Sequence, residues 1–304
     1  MGRLPSYASC SGCSLCLLAC PVWRQTKDIR LTPHGRAKAL QHGATAAALG
    51  ESIRSCTFCG ACEPACPERI PLVDMMLELR RQSPLQAQLA VADRGEPSSL
   101  PGNVLLPGKA LRQNKTRLDR IAGLLDAGIA ADDGADIALA LEAGATVPAG
   151  RLRAFLKGVE KARSIIAEGL LLRLLRGWLP AREIISLGEA LSALESVRAK
   201  LRPGDLYVIE PSAYHADHAR LVGHYDRLRS GTGMKTNLDL QRLAVPTAAS
   251  SAQRGLGLPG IDAADQARWI LEGRAFERVV VEDANDCAVF AAVTDRPVVH
   301  VADL

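Results

Sequence analysis

The chain is poor in aromatic residues: Phe, Trp and Tyr make up 4% of its 304 residues. That leaves too few rings for a base-stacking nucleic-acid platform, and the lysines and arginines do not gather into one stripe. Neither sign of charge dominates, with 37 Lys and Arg against 33 Asp and Glu and a formal net charge of +4. Nucleic-acid binding is thereby disfavoured. No run reaches the ~18 uninterrupted apolar residues that a spanning helix needs. The most apolar segment, Ile165 to Pro180, is interrupted by Glu168, Arg173 and Arg176. No apolar leader core precedes Cys10, so a cytoplasmic location is expected, although the first six residues fit the loose M-G-x-x-x-[ST] acylation pattern. Nucleotide signatures are missing too. No G-x-G-x-x-G follows a strand pattern, no G-x4-G-K-[ST] occurs, and Gly255-Leu256-Gly257 lacks a third glycine. With 48% hydrophobic residues, the composition still excludes a wholly disordered chain. The length suffices for two or three domains.

Cysteine is where the chain becomes specific. Eight of its nine cysteines fall in two windows, Cys10, Cys13, Cys16, Cys20 and Cys56, Cys59, Cys62, Cys66. Each window reads C-x2-C-x2-C-x3-C-P and ends at Pro21 or Pro67. Disulfides need an oxidising compartment, and cysteines at successive i+3 spacing suit no disulfide framework. Structural zinc draws on separated C-x2-C pairs to complete a tetrahedron. Three thiols on one tight turn with a fourth set further along suit the corners of a [4Fe–4S] cubane, held by soft thiolate donors. Small residues between the ligands (Ser11, Gly12, Gly60, Ala61) let backbone N–H groups approach the cluster sulfurs. In two-cluster ferredoxins the fourth cysteine of each motif ligates the other cluster. The expected ligand sets are therefore Cys10, Cys13, Cys16 and Cys66 for one cluster, and Cys56, Cys59, Cys62 and Cys20 for the second.

Residues 36–54 are rich in Ala and Leu and free of Pro, which predicts a helix. Leu72 to Arg81 is predicted as another, with Met75, Met76 and Leu79 on its apolar face as ordinary core filler. A helix-rich ferredoxin domain over residues 1–81 follows.

The double motif, the segment Thr32 to Ala37 (T-P-H-G-R-A) and the ending Cys56 to Pro71 resemble the iron–sulfur subunits of the heterodisulfide reductase C type. They also resemble those of anaerobic glycerol-3-phosphate dehydrogenase, glycolate oxidase and lactate utilisation. The resemblance covers about a quarter of the chain and implies an α-helical ferredoxin domain followed by a cysteine-rich domain of CCG repeats.

Residues 82–116 hold prolines and little periodicity and are expected as a linker. Residues 117–201 are expected to be helical, from Leu118, Ile121, Leu124 and Leu125, then Leu152 to Ile166, then Glu183 to Leu201. The apolar stretch Ile165–Leu179, with Arg173, Arg176 and Trp178, is expected to pack on its own protein or a partner rather than lie on a membrane surface. From residue 202 the pattern turns α/β. Strands are predicted at Leu206 to Glu210, Arg278 to Asp283 and Pro297 to Val301, with helices at Ser212 to Leu228 and from Asn285. The fold class is thus an α+β multidomain chain.

The last region resembles a CCG domain stripped of most cysteines. Ala213 in Glu210-Pro211-Ser212-Ala213-Tyr214 stands where the family carries cysteine, and Cys287 in Asn285-Asp286-Cys287-Ala288 is a lone survivor, with no CC pair anywhere. One thiol holds no cluster, and Cys287 is expected as a small buried side chain. His215, His218 and His224 follow Ala213. His215 and His218 share a helical face, yet they are expected as solvated histidines, since a metal would need a third ligand. The favoured function is an electron-transfer subunit without catalytic residues of its own. It would relay single electrons between a flavoprotein partner and a downstream acceptor through two [4Fe–4S] clusters, in the cytoplasm or peripherally on the membrane's inner face. The alternatives are a complete oxidoreductase whose C-terminal domain reduces a substrate itself, and a redox sensor or scaffold.

Overall fold

The computed structural model describes residues 6–83, 100–239, 242–251 and 260–304. The N-terminal region is all helical. Short helices Leu15–Leu18 and Pro21–Thr26 follow the first cysteines, the second opening on Pro21 at its first turn. The expected helix over 36–54 is two helices, Pro33–Gln41 and Gly50–Ser55. The first ends at His42, and Gly43 at φ +87° turns the chain into a loop. Leu72–Gln82 forms as predicted and buries Leu72, Val73, Met76 and Leu79. These pack with Ile53, Phe58 and Ile70 into a core of their own.

The middle of the chain departs from expectation. Residues 100–198 alternate strand and helix: β1 (Gly102–Leu105), β2 (Ala127–Ile129), β3 (Ala162–Ala167) and β4 (Glu183–Ser186) form one parallel sheet in the order β2-β1-β3-β4. The segment expected as linker therefore contributes an inner strand, and the region expected to be helical contains three more. These strands are short and abut Leu-rich helices such as Gly169–Trp178, so strand and helix merge into one apolar run with no period to separate them.

The C-terminal part is α/β as predicted. β5 (Asp205–Val208), β6 (Lys235–Thr236), β9 (Arg278–Val281) and β10 (Val298–His300) form a second parallel sheet, in the order β10-β9-β5-β6. A two-stranded antiparallel ribbon, β7 (Leu238–Asp239) with β8 (Leu243–Ala244), lies between β6 and β9 in sequence. The helix expected over 212–228 is broken at Asp217 into Pro211–Ala216 and His218–Thr232.

Counted within each unit, the two sheets have the same order, second-first-third-fourth, with all strands parallel. A proline opens the helix after the first strand in both (Pro107, Pro211), and a glutamate follows the third strand in both (Glu168, Glu282). The fourth strand ends in each on a side chain that caps the next turn: Ser186 accepts from the Glu189 N–H and His300 from the Ala302 N–H. The α/β part is an internal duplication. Leu105, Ile166 and Leu187 of one unit share a core with Tyr207, Ile209 and Val301 of the other.

The helix Gly169–Trp178 is the wedge between these units and the cysteine domain. Leu171, Leu172 and Leu175 enter the first α/β core, while Leu170 packs with the helical domain. Arg173 pairs with Glu63 at 2.6 Å, and Arg176 with Asp217 at 2.6 Å. The interrupting charges thus tie the wedge to its neighbours, and the segment is packed within its own protein.

Gly144 ends the helix Ala135–Ala143 at φ +82°, and a Cβ there would stand 2.1 Å from the Arg80 carbonyl oxygen. Gly144→Ala is expected to cost at least about 2 kcal/mol, from the left-handed conformation and the clash together. Thermal unfolding followed by circular dichroism should show a midpoint several degrees lower; an unchanged midpoint would mean that this contact is not kept in solution.

Candidate metal centre

The two cysteine turns have the same backbone. In C-x-x-C-x-x-C the second and third intervening residues are left-handed in each: Gly12 (φ +82°) and Ser14 (φ +65°) in the first, Phe58 (φ +56°) and Gly60 (φ +72°) in the second. A glycine stands at one left-handed position of each turn and an ordinary residue at the other, which is strain held in place by the surroundings. Phe58 is fixed by burial and by the Arg80 guanidinium over its ring at 4.4 Å.

The segment Thr32 to Ala37 sets the two turns against each other. Thr32 caps the helix Pro33–Gln41 by accepting from the Gly35 N–H, and Pro33 starts it. Gly35 passes so close to Ile29 that a Cβ would lie 2.0 Å from its carbonyl oxygen. Arg36 is buried and donates to the carbonyls of Leu31 and Ser52.

The thiols consequently ring two cavities. Cys20, Cys56, Cys59 and Cys62 line one, with Arg36 and Phe58; Cys10, Cys13, Cys16 and Cys66 line the other, with His34 and Ile70. Each ring takes three thiols from one motif and the last thiol of the other. Among the described residues no three His, Cys, Asp or Glu side chains converge closely enough to hold a single metal ion. Four thiols stand around each space, which suits the four-thiolate ligand count of a cubane. A second observation fits an anionic cluster: the Arg36 Nε is buried on the first cavity without a hydrogen-bond partner. Burial, then neighbouring thiols, pushes Cys16 up to about 12; burial raises Cys59 to about 12 as well, and Cys20 and Cys62 also lie above the ordinary thiol value. Thiolates there need a cationic centre to take up their charge.

Neighbouring domains grip the second turn. Arg80, fully buried, donates to the carbonyls of Ile53, Cys56 and, across the domain boundary, Glu142. His215 is buried rather than solvated. Its Nε2 accepts from the Ala244 N–H at 3.2 Å, which leaves Nδ1–H to donate to the Cys59 carbonyl at 2.7 Å. Burial lowers its pKa to about 4, so the ring stays neutral. His218 approaches the Arg242 carbonyl, and His224 meets the Ser192 hydroxyl at 2.8 Å. Cys287, expected to be buried, is half-buried and packs beside the core of the second α/β unit.

Sequence reasoning missed a group of carboxyls at the carboxyl ends of the strands. Glu210 caps the helix Pro211–Ala216, accepting from the Ser212 and Ala213 N–H groups. Glu282 accepts from the Tyr225 hydroxyl at 2.6 Å and the Glu210 N–H at 2.8 Å. Burial raises both to about 7. Glu168, across from them, lies well above the carboxylate range through burial and the facing Asp283, Glu210, Glu282 and Asp286. Glu168 and Glu282 each follow the third strand of their unit, a correspondence that only the strand order makes visible.

Residues 6–70 match the 4Fe-4S dicluster domain. The chain is 37% identical over 86 residues to "Lactate utilization protein B" of Macrococcus caseolyticus, covering 26% of this chain and 17% of that protein. It is 36% identical over 78 residues to the C-type subunit of the ferredoxin:CoB-CoM heterodisulfide reductase of Methanosarcina mazei, covering 24% and 44%. The C-type subunit of the ferredoxin/F(420)H(2)-dependent CoB-CoM heterodisulfide reductase of Methanosarcina acetivorans is 35% identical over the same length. The chain thus spans less than half the length of these curated relatives. No solved structure matches it. Over residues 6–70 the chain is thus similar to iron–sulfur proteins of the 4Fe-4S dicluster type, and among the described residues no helix is long and apolar enough to cross a membrane.

The buried glutamates predict a pH dependence of stability. Their folded pKa is raised, so the folded state holds the proton more tightly. The stabilisation is full below the unfolded value of 4.5 and is lost as pH rises through about 7. Between pH 6 and 8 each such group should cost about 1 kcal/mol, partly offset by His215 and His300, whose lowered folded values add stability as pH rises through the ordinary histidine value of 6.5. Glu282→Gln should flatten this loss in unfolding measurements at each pH; the same slope in both proteins would count against the raised value.

Proposed function

We propose that the chain is the electron-transfer iron–sulfur subunit of an oxidoreductase complex, relaying single electrons between a flavoprotein partner and a second redox partner. Cys10, Cys13, Cys16 and Cys66 would hold one [4Fe–4S] cluster, and Cys56, Cys59, Cys62 and Cys20 the other. Bound there, the clusters supply one-electron redox capacity. The observation that carries this reading is the sharing of last thiols between the two rings. The chain's own residues tune and hold: Arg36 offers an unused N–H to one ring, and His215 fixes the Cys59 carbonyl. A partner face is favoured beside the first motif, because Leu15, Leu18 and Ile29 are the large exposed apolar side chains among the described residues. A cytoplasmic or peripheral setting goes with this reading. With Ala213 in the place of a cysteine, the α/β units hold no cluster in it.

Anaerobically prepared protein should contain about eight iron and eight sulfide per chain, by chemical analysis. Cys20→Ser should disturb the spectroscopic signature that Cys59→Ser also disturbs, and Cys66→Ser the one shared with Cys13→Ser. Zinc in place of iron, or the reverse pairing of signatures, would refute the assignment.

A further inference from the structure

A groove of about 730 Å³ runs across the carboxyl ends of both parallel sheets. That is the size of a small-molecule site. In each sheet the order reverses between the first and third strands, and in open α/β sheets ligands bind outside the carboxyl ends at such a switch point. Pro107 and Glu168 bring the first switch point to the groove, and Ser212 and Asn285 bring the second. Two crevices open on one space.

Glu168 marks the binding end. Its equivalent in the duplication, Glu282, is saturated by Tyr225 and the Glu210 N–H. Glu168 has no such partner: its Oε1 is sealed from solvent and makes no hydrogen bond. Burial, and then the facing Asp283, Glu210, Glu282 and Asp286, push its carboxyl well above the ordinary carboxylate range, toward the protonated form that can donate. Of the other acids on the lining, Asp133 pairs with Arg112 and Asp136 with Arg151, Glu142 lies there too, and the lining's one cation is the exposed Lys109. Such a wall offers a carboxylate or phosphate ligand no buried cation to pair with. Phe58, Leu139 and Leu170 supply an apolar side.

We propose that this groove binds a neutral conjugated carbonyl compound of the quinone type, one carbonyl oxygen accepting from the Glu168 carboxyl and the ring lying along the apolar side. Thr57 and Phe58 line both this groove and the cavity of Cys20, Cys56, Cys59 and Cys62. A molecule bound there sits beside that ring of thiols. Its identification as the electron acceptor rests on the electron-transfer reading above; its binding does not.

The test is calorimetric titration of the full-length, oxidised, anaerobic protein with duroquinone, whose fully substituted ring does not alkylate thiols. Saturable 1:1 binding is expected, with none for lactate or glycerol 3-phosphate. Glu168→Leu should weaken it at least tenfold while raising the unfolding temperature, because a buried orphan carboxyl is removed. A purely structural Glu168 would lower that temperature instead. Ala138→Trp, which narrows the groove from the other wall, should abolish binding while unfolding stays unchanged. Duroquinone affinity indifferent to both substitutions, or preferential binding of either anion, would overturn the proposal. Protein that binds duroquinone in this way yet contains no iron would refute the electron-transfer reading alone.

Discussion

Two rings of thiols, each closed by a residue borrowed from the other motif, can form only if two turns more than forty residues apart in sequence are held face to face. Much of the helical domain serves that requirement. The Thr32 cap, the close pass of Gly35 under Ile29 and the buried Arg36 fix the chain between the turns, and the left-handed residues within each turn are tolerable only because this frame holds them. Without a cationic centre, the buried thiols gain nothing by ionising. The scaffold and the group it is shaped for therefore depend on each other.

The frame does not stop at the domain boundary. Arg80 spans from the second cysteine turn to Glu142, Arg173 reaches Glu63 between two cysteines, and His215 holds the Cys59 carbonyl. These are charged or ring donors satisfied largely by backbone carbonyls and a carboxylate. They are costly to bury but directional, which favours one relative placement of the units over neighbouring ones. The environment of the second turn is accordingly set by all three units.

What the sequence disclosed follows the physics of each signal. The cysteine windows were legible because ligand spacing is a local property, and Leu72–Gln82 because one amphipathic stripe decides it. The second sheet was legible through its isolated Val-rich strands at 278–281 and 298–300. The first sheet was not: β1 lies in a proline-punctuated stretch, β2 has three residues, and β3 runs straight into the leucines of the wedge helix. Parallel strands buried on both faces carry no alternation to separate them from helix. The duplication stayed hidden for the same reason, since what the units share is strand order rather than residues. The carboxyl group was hidden differently, because Glu168, Glu210 and Glu282 meet only through the packing of two sheets.

Residues 24 and 25 close onto the helix Ala263–Leu271, and Gln266 of that helix lies 242 residues further along the chain than Arg24. Arg24 reaches Gln266 and Asp265 and stacks on Trp269, while Gln25 exchanges hydrogen bonds with the backbone of Asp262. During synthesis at ≈ 5–20 residues per second, the helical domain waits many seconds before that clasp is available. For that interval one side of Cys20's surroundings, later covered by Ala244, Val245 and Trp269, stands open. The order of translation thus leaves Cys20 more open on that side early than late, so a nascent chain and a finished one present different surfaces there.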